Sequence, residues 1–272
     1  MPEIAEVRTV KSALKKNIIG KTIKDINIIY PNIIKTDLDE FKSILIGKTF
    51  KDITTIGKWL IFNLGEYSLV SHLRMEGKYY YKKNSDDIEK HEHIIFNLDN
   101  GYDLRYKDVR KFGVMILCKT NEVMNLVEIK KLGLEPDDNS LNEDYLYNLI
   151  HKSNKSIKEL LLDQSIINGL GNIYVDEVLF ASHILPMRCG NSISKEECKS
   201  IVNEASRIIK KATLCGGCTI RSYTSSLGVE GTYQNYLMVH TKEGENCKIC
   251  GTKIKKTRVG GRGTYYCENC QK

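Results

Sequence analysis

Several things are missing from this chain. It has no apolar run long enough to cross a bilayer, no internal repeat and no low-complexity tract, which excludes a helical membrane protein, a solenoid and a disordered linker. The first six residues carry two glutamates and lack the basic start of a signal peptide, so the expected location is cytoplasmic, with no membrane partner. Clustered carboxylates of the kind that hold two catalytic metal ions are also lacking. Charge of one sign is absent over residues 1–150, where 23 basic side chains meet 23 acidic ones. What the chain does have is the composition of a globular protein, 41% hydrophobic and 28% charged over 272 residues, enough for two domains and a small third.

The net charge of +7 is unevenly placed. Residues 241–272 hold eight basic and three acidic side chains, so most of the surplus sits in the last 32 residues. Such a concentration points to a polyanionic partner, and nucleic acid is the common one. Nine cysteines, an odd number with four in a metal-type pattern, fit a reducing compartment better than secretion.

Residues 3–19 place Ile4, Val7, Leu14 and Ile18 near helical spacing, with Gly20 as the stop. From about 21 to 118 the texture becomes short β-rich runs, among them "KWLIFNL", "YSLVSHL", "KYYYKK" and "HIIFNL". Asp99-Asn100-Gly101 marks a tight hairpin turn between two of them. A leading helix with many antiparallel strands predicts a β-sandwich, within an α+β fold. Helical texture begins with "NEVMNLVEIKKLG" and continues through four more segments, the last opening on the capping box Ser194/Glu197 and running to about Leu214. The Gly/Ser/Thr-rich stretch 215–235 predicts a long functional loop. The expected division is therefore 1–132, a sandwich; 133–235, a helical domain; and 236–272, a metal finger.

Cys247/Cys250 and Cys267/Cys270 form two C-x2-C pairs with sixteen residues between them. Each turn presents two sulfurs, and two turns complete a tetrahedron, predicting one structural zinc ion. Inside this finger "GGRG" presents Arg262 between glycines, so a hairpin tip can approach a phosphate backbone closely. Cys215 and Cys218 in "CGGC" repeat the spacing but have no second pair, and Cys118, Cys189 and Cys198 read as small buried apolar residues. The N-terminus "MPEIAEV" has two readings. Proline suits the first turn of a helix and Glu3 and Glu6 suit its dipole, yet loss of Met1 also makes Pro2 a secondary amine flanked by carboxylates. An α-amine with an ordinary pKa near 8 is appreciably unprotonated at neutral pH and nucleophilic.

Taken together, the Pro-Glu helix, the sandwich, "QSIINGLGNIYVDEVLF" and the four-cysteine finger resemble the formamidopyrimidine-DNA glycosylases along the whole chain. The resemblance implies a bifunctional base-excision-repair enzyme, expected as a monomer, acting on damaged double-stranded DNA, with the catalytic domain in the sandwich of 1–132 and a helix–two-turn–helix DNA-binding domain over 133–235. It implies Pro2 as the Schiff-base nucleophile, Glu3 as general acid/base, Glu6 as its positioner and Lys58 as a phosphate contact beside the lesion. Met75, Arg110 and Phe112 would fill the hole left by an extruded nucleotide, a task suited to an adaptable wedge, a hydrogen-bonding cation and a stacking ring. Asn172 and Arg262, with His72 and Lys155 as weaker candidates, would touch phosphates. Cys218, Thr219, Arg221 and Tyr223 would lie in the lesion loop. The expected substrates are 8-oxoguanine and formamidopyrimidines; the alternatives are an endonuclease VIII-like enzyme for oxidised pyrimidines and a non-catalytic zinc-finger protein that binds damaged DNA. Departures from the family pattern are Ile4-Ala5 for Leu-Pro, Arg8 for an acid, Cys218 for Ser in Gly-Gly-Ser-Thr, and His240-Thr241-Lys242 for Tyr-Gly-Arg.

Overall fold

The first helix, α1 (Ile4–Ile18), follows the apolar spacing of its sequence and sends Val7, Val10, Leu14 and Ile18 into the core. It ends before Gly20, whose φ of +79° lets the chain turn away. The computed structural model describes residues 1–218 and 231–272, in two compact units. One comprises residues 1–130 with 216–231, the other residues 131–215 with 232–272.

After α1 the first unit runs through β1 (Ile23–Ile28), α2 (Leu38–Leu45), β2 (Asp52–Ile56), β3 (Trp59–Asn63), β4 (Tyr67–His72), β5 (Lys78–Lys83), β6 (Glu92–Leu98), β7 (Tyr102–Lys107) and β8 (Val114–Lys119). Two four-stranded antiparallel sheets form, in the orders β1-β6-β7-β5 and β2-β3-β4-β8. Their inner faces share one core with α1. The expected sandwich is therefore present, and Gly101 at φ +78° makes the turn between β6 and β7. A series of edge-on aromatic pairs crosses this core: Phe50–Phe62 at 5.9 Å, Phe62–Tyr79 at 5.3 Å and Tyr79–Tyr106 at 5.2 Å. Strand texture hides α2 and a short 3-10 turn (Pro31–Ile33) before it. The signal for α2 is Asp37, whose carboxylate accepts the Asp39 and Glu40 N–H groups as an N-cap.

Residues 121–133 do not form the expected helix. A 3-10 segment (Thr120–Asn125) gives way at Leu126, which is extended at ψ 134°, to a single turn, α3 (Val127–Lys130). Met124 and Val127 are exposed, so no continuous apolar face holds a longer helix against the core.

The second unit contains α4 (Glu143–Ile150), α5 (Ile157–Leu162), α6 (Asn172–Ala181) and α7 (Lys195–Leu214), then β9 (Lys255–Val259) and β10 (Arg262–Tyr266). Asn142 caps α4, while capping boxes Ser156/Glu159 and Ser194/Glu197 open α5 and α7. Helix α6 is buried on nearly every side from Tyr174 to Phe180. Cys198 packs inside α7 as expected, but Cys189 is exposed because it lies in the loop before a 3-10 turn, and Cys118 is half-buried. Among the described residues no helix is long and apolar enough to cross a membrane.

Candidate active site

In the first unit the chain terminus enters a cluster of charged side chains. Pro2 is buried, Glu3 and Glu6 are 2% and 5% exposed, and Lys58 is 5% exposed. Glu3 and Glu6 form the capping box of α1, with Glu6 Oε2 accepting the Glu3 N–H at 2.8 Å. The other oxygen of Glu6 accepts the Cys218 N–H at 2.8 Å, so one carboxylate ties the start of α1 to the 216–218 segment. Gly217 makes this approach feasible: its φ is +78°, and a Cβ there would lie 2.5 Å from Glu6 Oε1. The exchange of Ser for Cys at 218 leaves this contact intact, because the contact uses backbone. Thr219, Arg221 and Tyr223 lie outside the described residues.

Lys58 follows Gly57, at φ +53°, in the two-residue turn between β2 and β3, and it is buried where a lone lysine would ordinarily be solvated. Burial is the main influence on the Met1 amine and lowers its pKa; Glu3 and Glu6 oppose that and Lys58 adds to it. Glu76 also acts on this amine and raises its pKa. Nothing in the local sequence marks Glu76 for this place, although it directly follows Met75 in "HLRMEGKY". His72 ends β4, buried, with Nδ1 accepting the Arg74 N–H at 2.9 Å and its ring edge-on to Trp59. Burial first, then the Arg74 and Lys58 charges, hold its pKa down to about 3, so it is a neutral imidazole that offers a donor rather than a cation.

Met75 sits half-buried on the turn between β4 and β5, while Arg110 and Phe112 are exposed on the turn between β7 and β8. The Arg110 guanidinium lies 4.7 Å from the Phe112 ring centroid. Buried Asp108 shapes the second turn by accepting the Arg110 and Gly113 N–H groups at 3.0 and 2.8 Å. A single hydroxyl, that of Tyr106, packs against both turns. A Cβ at Gly77 would come within 2.2 Å of it and one at Gly113 within 1.8 Å. Glycine is therefore required at both places by close approach, a requirement that one sequence does not reveal.

In the second unit Asn172 opens α6 and donates from Nδ2 to the Gly263 carbonyl at 3.0 Å, leaving its buried Oδ1 without a hydrogen-bond partner. Val259 pairs with Arg262 across Gly260 and Gly261, both at positive φ, which makes the two-residue hairpin turn that presents the exposed Arg262. Lys155 is exposed just before α5. Lys158 and Asp176, both fully buried, are joined at 2.7 Å, and Lys158 also donates to the Gly263 carbonyl at 3.0 Å. Asp176 Oδ2 receives His240 Nδ1 at 2.7 Å, and Glu177 accepts the Met238, Val239 and His240 N–H groups. This buried network fixes the base of the finger hairpin. The sequence concealed it because charged residues are ordinarily read as surface.

The sulfur atoms of Cys247, Cys250, Cys267 and Cys270 all lie within 4.8 Å of one another. Cys247 and Cys270 are 3.8 Å apart and Cys250 and Cys267 3.5 Å apart, too far for disulfides and close to the edge of about 3.8 Å that a tetrahedron of zinc–sulfur bonds has. Four thiolates with no open position fit one structural zinc ion.

The chain matches the family models of the formamidopyrimidine-DNA glycosylase N-terminal domain over residues 1–115, the formamidopyrimidine-DNA glycosylase H2TH domain over residues 132–224, and the zinc finger found in FPG and IleRS over residues 244–272. Formamidopyrimidine-DNA glycosylase of Oceanobacillus iheyensis is 44% identical, covering 100% of this chain and 98% of that protein. The enzyme of that name from Bacillus cereus is 46% identical, covering 100% and 99%. Among solved structures, a Lactococcus lactis FPG mutant in complex with Fapy-dG containing DNA is similar with a TM-score of 0.95 at 40% identity, covering 100% of both chains. Lactococcus lactis Fpg with an abasic site containing DNA gives 0.93 at 40%, covering 99% of both. Matched along its whole length in sequence and in fold, the chain belongs to the formamidopyrimidine-DNA glycosylases, a DNA-repair family of glycosylase/AP lyases.

Proposed function

We propose that this protein excises oxidised purines, 8-oxoguanine and formamidopyrimidines, from duplex DNA and then cleaves the strand through an imine on Pro2. The observation that carries this reading is the burial of the chain terminus beside Glu3, Glu6 and Lys58, which depresses the pKa of the terminal amine. Removal of Met1 makes Pro2 the terminal secondary amine of that cluster. Its lone pair attacks C1′ of the extruded nucleotide, the glycosidic bond breaks, and the base leaves with a proton. Glu3 protonates the sugar ring oxygen as the ring opens to the iminium. The iminium acidifies C2′–H; loss of that proton expels the 3′ phosphate, and a second elimination expels the 5′ phosphate. Glu6 orients Glu3 by holding its backbone N–H, and Lys58 takes a phosphate beside the lesion. Met75, Arg110 and Phe112 occupy the vacated stack. Asn172 and Arg262 take phosphates, with His72 contributing a neutral donor and Lys155 a more distant cation. Zinc holds the finger that carries Arg262 and takes no part in the chemistry.

The purine preference is supported by the relatives' names and by the neighbouring complex with Fapy-dG containing DNA. The test is borohydride trapping on duplex DNA with 8-oxoguanine opposite cytosine, using protein whose N-terminus has been checked by mass spectrometry. A covalent adduct mapped to Pro2, and absent from Pro2→Gly, is expected. An adduct with oxidised pyrimidines alone would move the specificity to the pyrimidine branch, and none on any lesion or abasic site would end the imine reading.

A further inference from the structure

A groove in the second unit, bordered by Lys248 and Ile249 between the finger cysteines Cys247 and Cys250, encloses about 560 Å³. That is the size of a specific ligand site. Its floor is apolar and aromatic, formed by Phe180, Ile208, Tyr233 and Met238. Ile249, 66% exposed, and Tyr236, 48% exposed, stand at its lip. Isolated exposed apolar residues need no explanation, but two converging on one concavity with a hydrophobic floor do.

The charges around this groove are unequal in their commitments. Glu177 is occupied by three backbone N–H groups, and Glu204 is paired with Arg207 at 2.8 Å. Lys211 and Lys248 have no acidic partner among the described residues. Lys211 lies 3.9 Å from the Tyr236 ring centroid, which leaves a cation on an aromatic face at the mouth. The groove thus offers an apolar pocket beneath two uncompensated positive charges. Duplex DNA presents its phosphates on a convex, rigid surface, and its apolar thymine methyls lie down in the major groove, where they cannot reach such a floor.

We propose that this groove docks a partner protein through an acidic peptide segment whose apolar or aromatic side chain fills the pocket while its carboxylates meet Lys211 and Lys248. Charge complementarity gives the segment its orientation, and the buried side chain supplies most of the affinity. The site is separate from the imine chemistry and does not depend on it.

The test is selection of a random peptide library on the zinc-loaded full chain, followed by fluorescence anisotropy with the enriched peptides. Enrichment of sequences combining several Asp or Glu with one large apolar residue is expected. Lys211→Glu and Tyr236→Ala should each weaken those peptides about tenfold, with cleavage of abasic duplex DNA unchanged. Replacing the peptide's apolar residue by alanine should do the same. Failure to enrich any such sequence, or enriched peptides indifferent to both variants, overturns the proposal. So does an equal weakening of duplex DNA binding by the two variants, which would assign the groove to DNA. A circular dichroism spectrum matching wild type shows that each variant is folded before it is scored.

Discussion

His72 shows how a single position can carry a measurable signature. Its ring is packed against Trp59 and its Nδ1 is occupied by a backbone N–H, so the native state resists protonation down to about pH 3, whereas the unfolded chain takes up a proton near the ordinary value of 6.5. The stability held by the neutral ring is complete above 6.5 and drains as pH falls toward 3, by about 1.4 kcal/mol per pH unit. Between pH 6.5 and about 5, wild type should lose about 2 kcal/mol more than His72→Gln in urea unfolding, whatever the absolute stability of the variant. This behaviour was not legible beforehand: "YSLVSH" announces a strand, but not which end of it lies under a tryptophan. Lys58 is similar, since it sits on a local hairpin turn yet is buried beside the chain terminus, which is distant in sequence. The finger cysteines were legible because their spacing alone says what they do, whereas the reading of Pro2 and Glu3 rests on the family resemblance.

Among elements, those with a strong local code were readable: α1 with its apolar spacing, α7 with its capping box, and the hairpin at Gly101. The 121–133 helix failed because composition favoured a helix while no core surface was available to receive one. The turns bearing Met75, Arg110 and Phe112 are held by a contact that no local pattern encodes, the Tyr106 hydroxyl packed against Gly77 and Gly113. Gly113→Ala should cost about 1–3 kcal/mol from overpacking, read as a lower urea midpoint, and reduce cleavage of lesion DNA more than the loss of folded protein explains. The buried Lys158–Asp176 pair makes a second demand at this scale. Asp176→Ala leaves an ammonium without its partner and should cost about 3–5 kcal/mol in unfolding experiments. Lys158→Met combined with Asp176→Leu should restore only part of that, because the buried charges go but His240 Nδ1 loses the carboxylate it meets.

At the scale of the whole molecule, charge is distributed so that a neutral N-terminal half accompanies a basic C-terminal segment. If that segment meets phosphates through Arg262, the logarithm of affinity for lesion DNA should fall linearly with the logarithm of salt concentration, and Arg262→Ala should reduce the slope by about one. Fluorescence anisotropy across a salt series measures this directly, and an unchanged slope would remove Arg262 from the phosphate contacts. Composition exposed the asymmetry at once, whereas the bridge from Glu6 to Cys218 could not be read, because 212 residues separate its ends. That separation sets an order of events during synthesis. Glu6 leaves the ribosome among the first residues, and its partner emerges only when most of the chain has been made. During that interval the start of α1 lacks its tie to the 216–218 segment. Once Cys218 has emerged, both oxygens of Glu6 are engaged, so the start of α1 gains its last tie only late in synthesis.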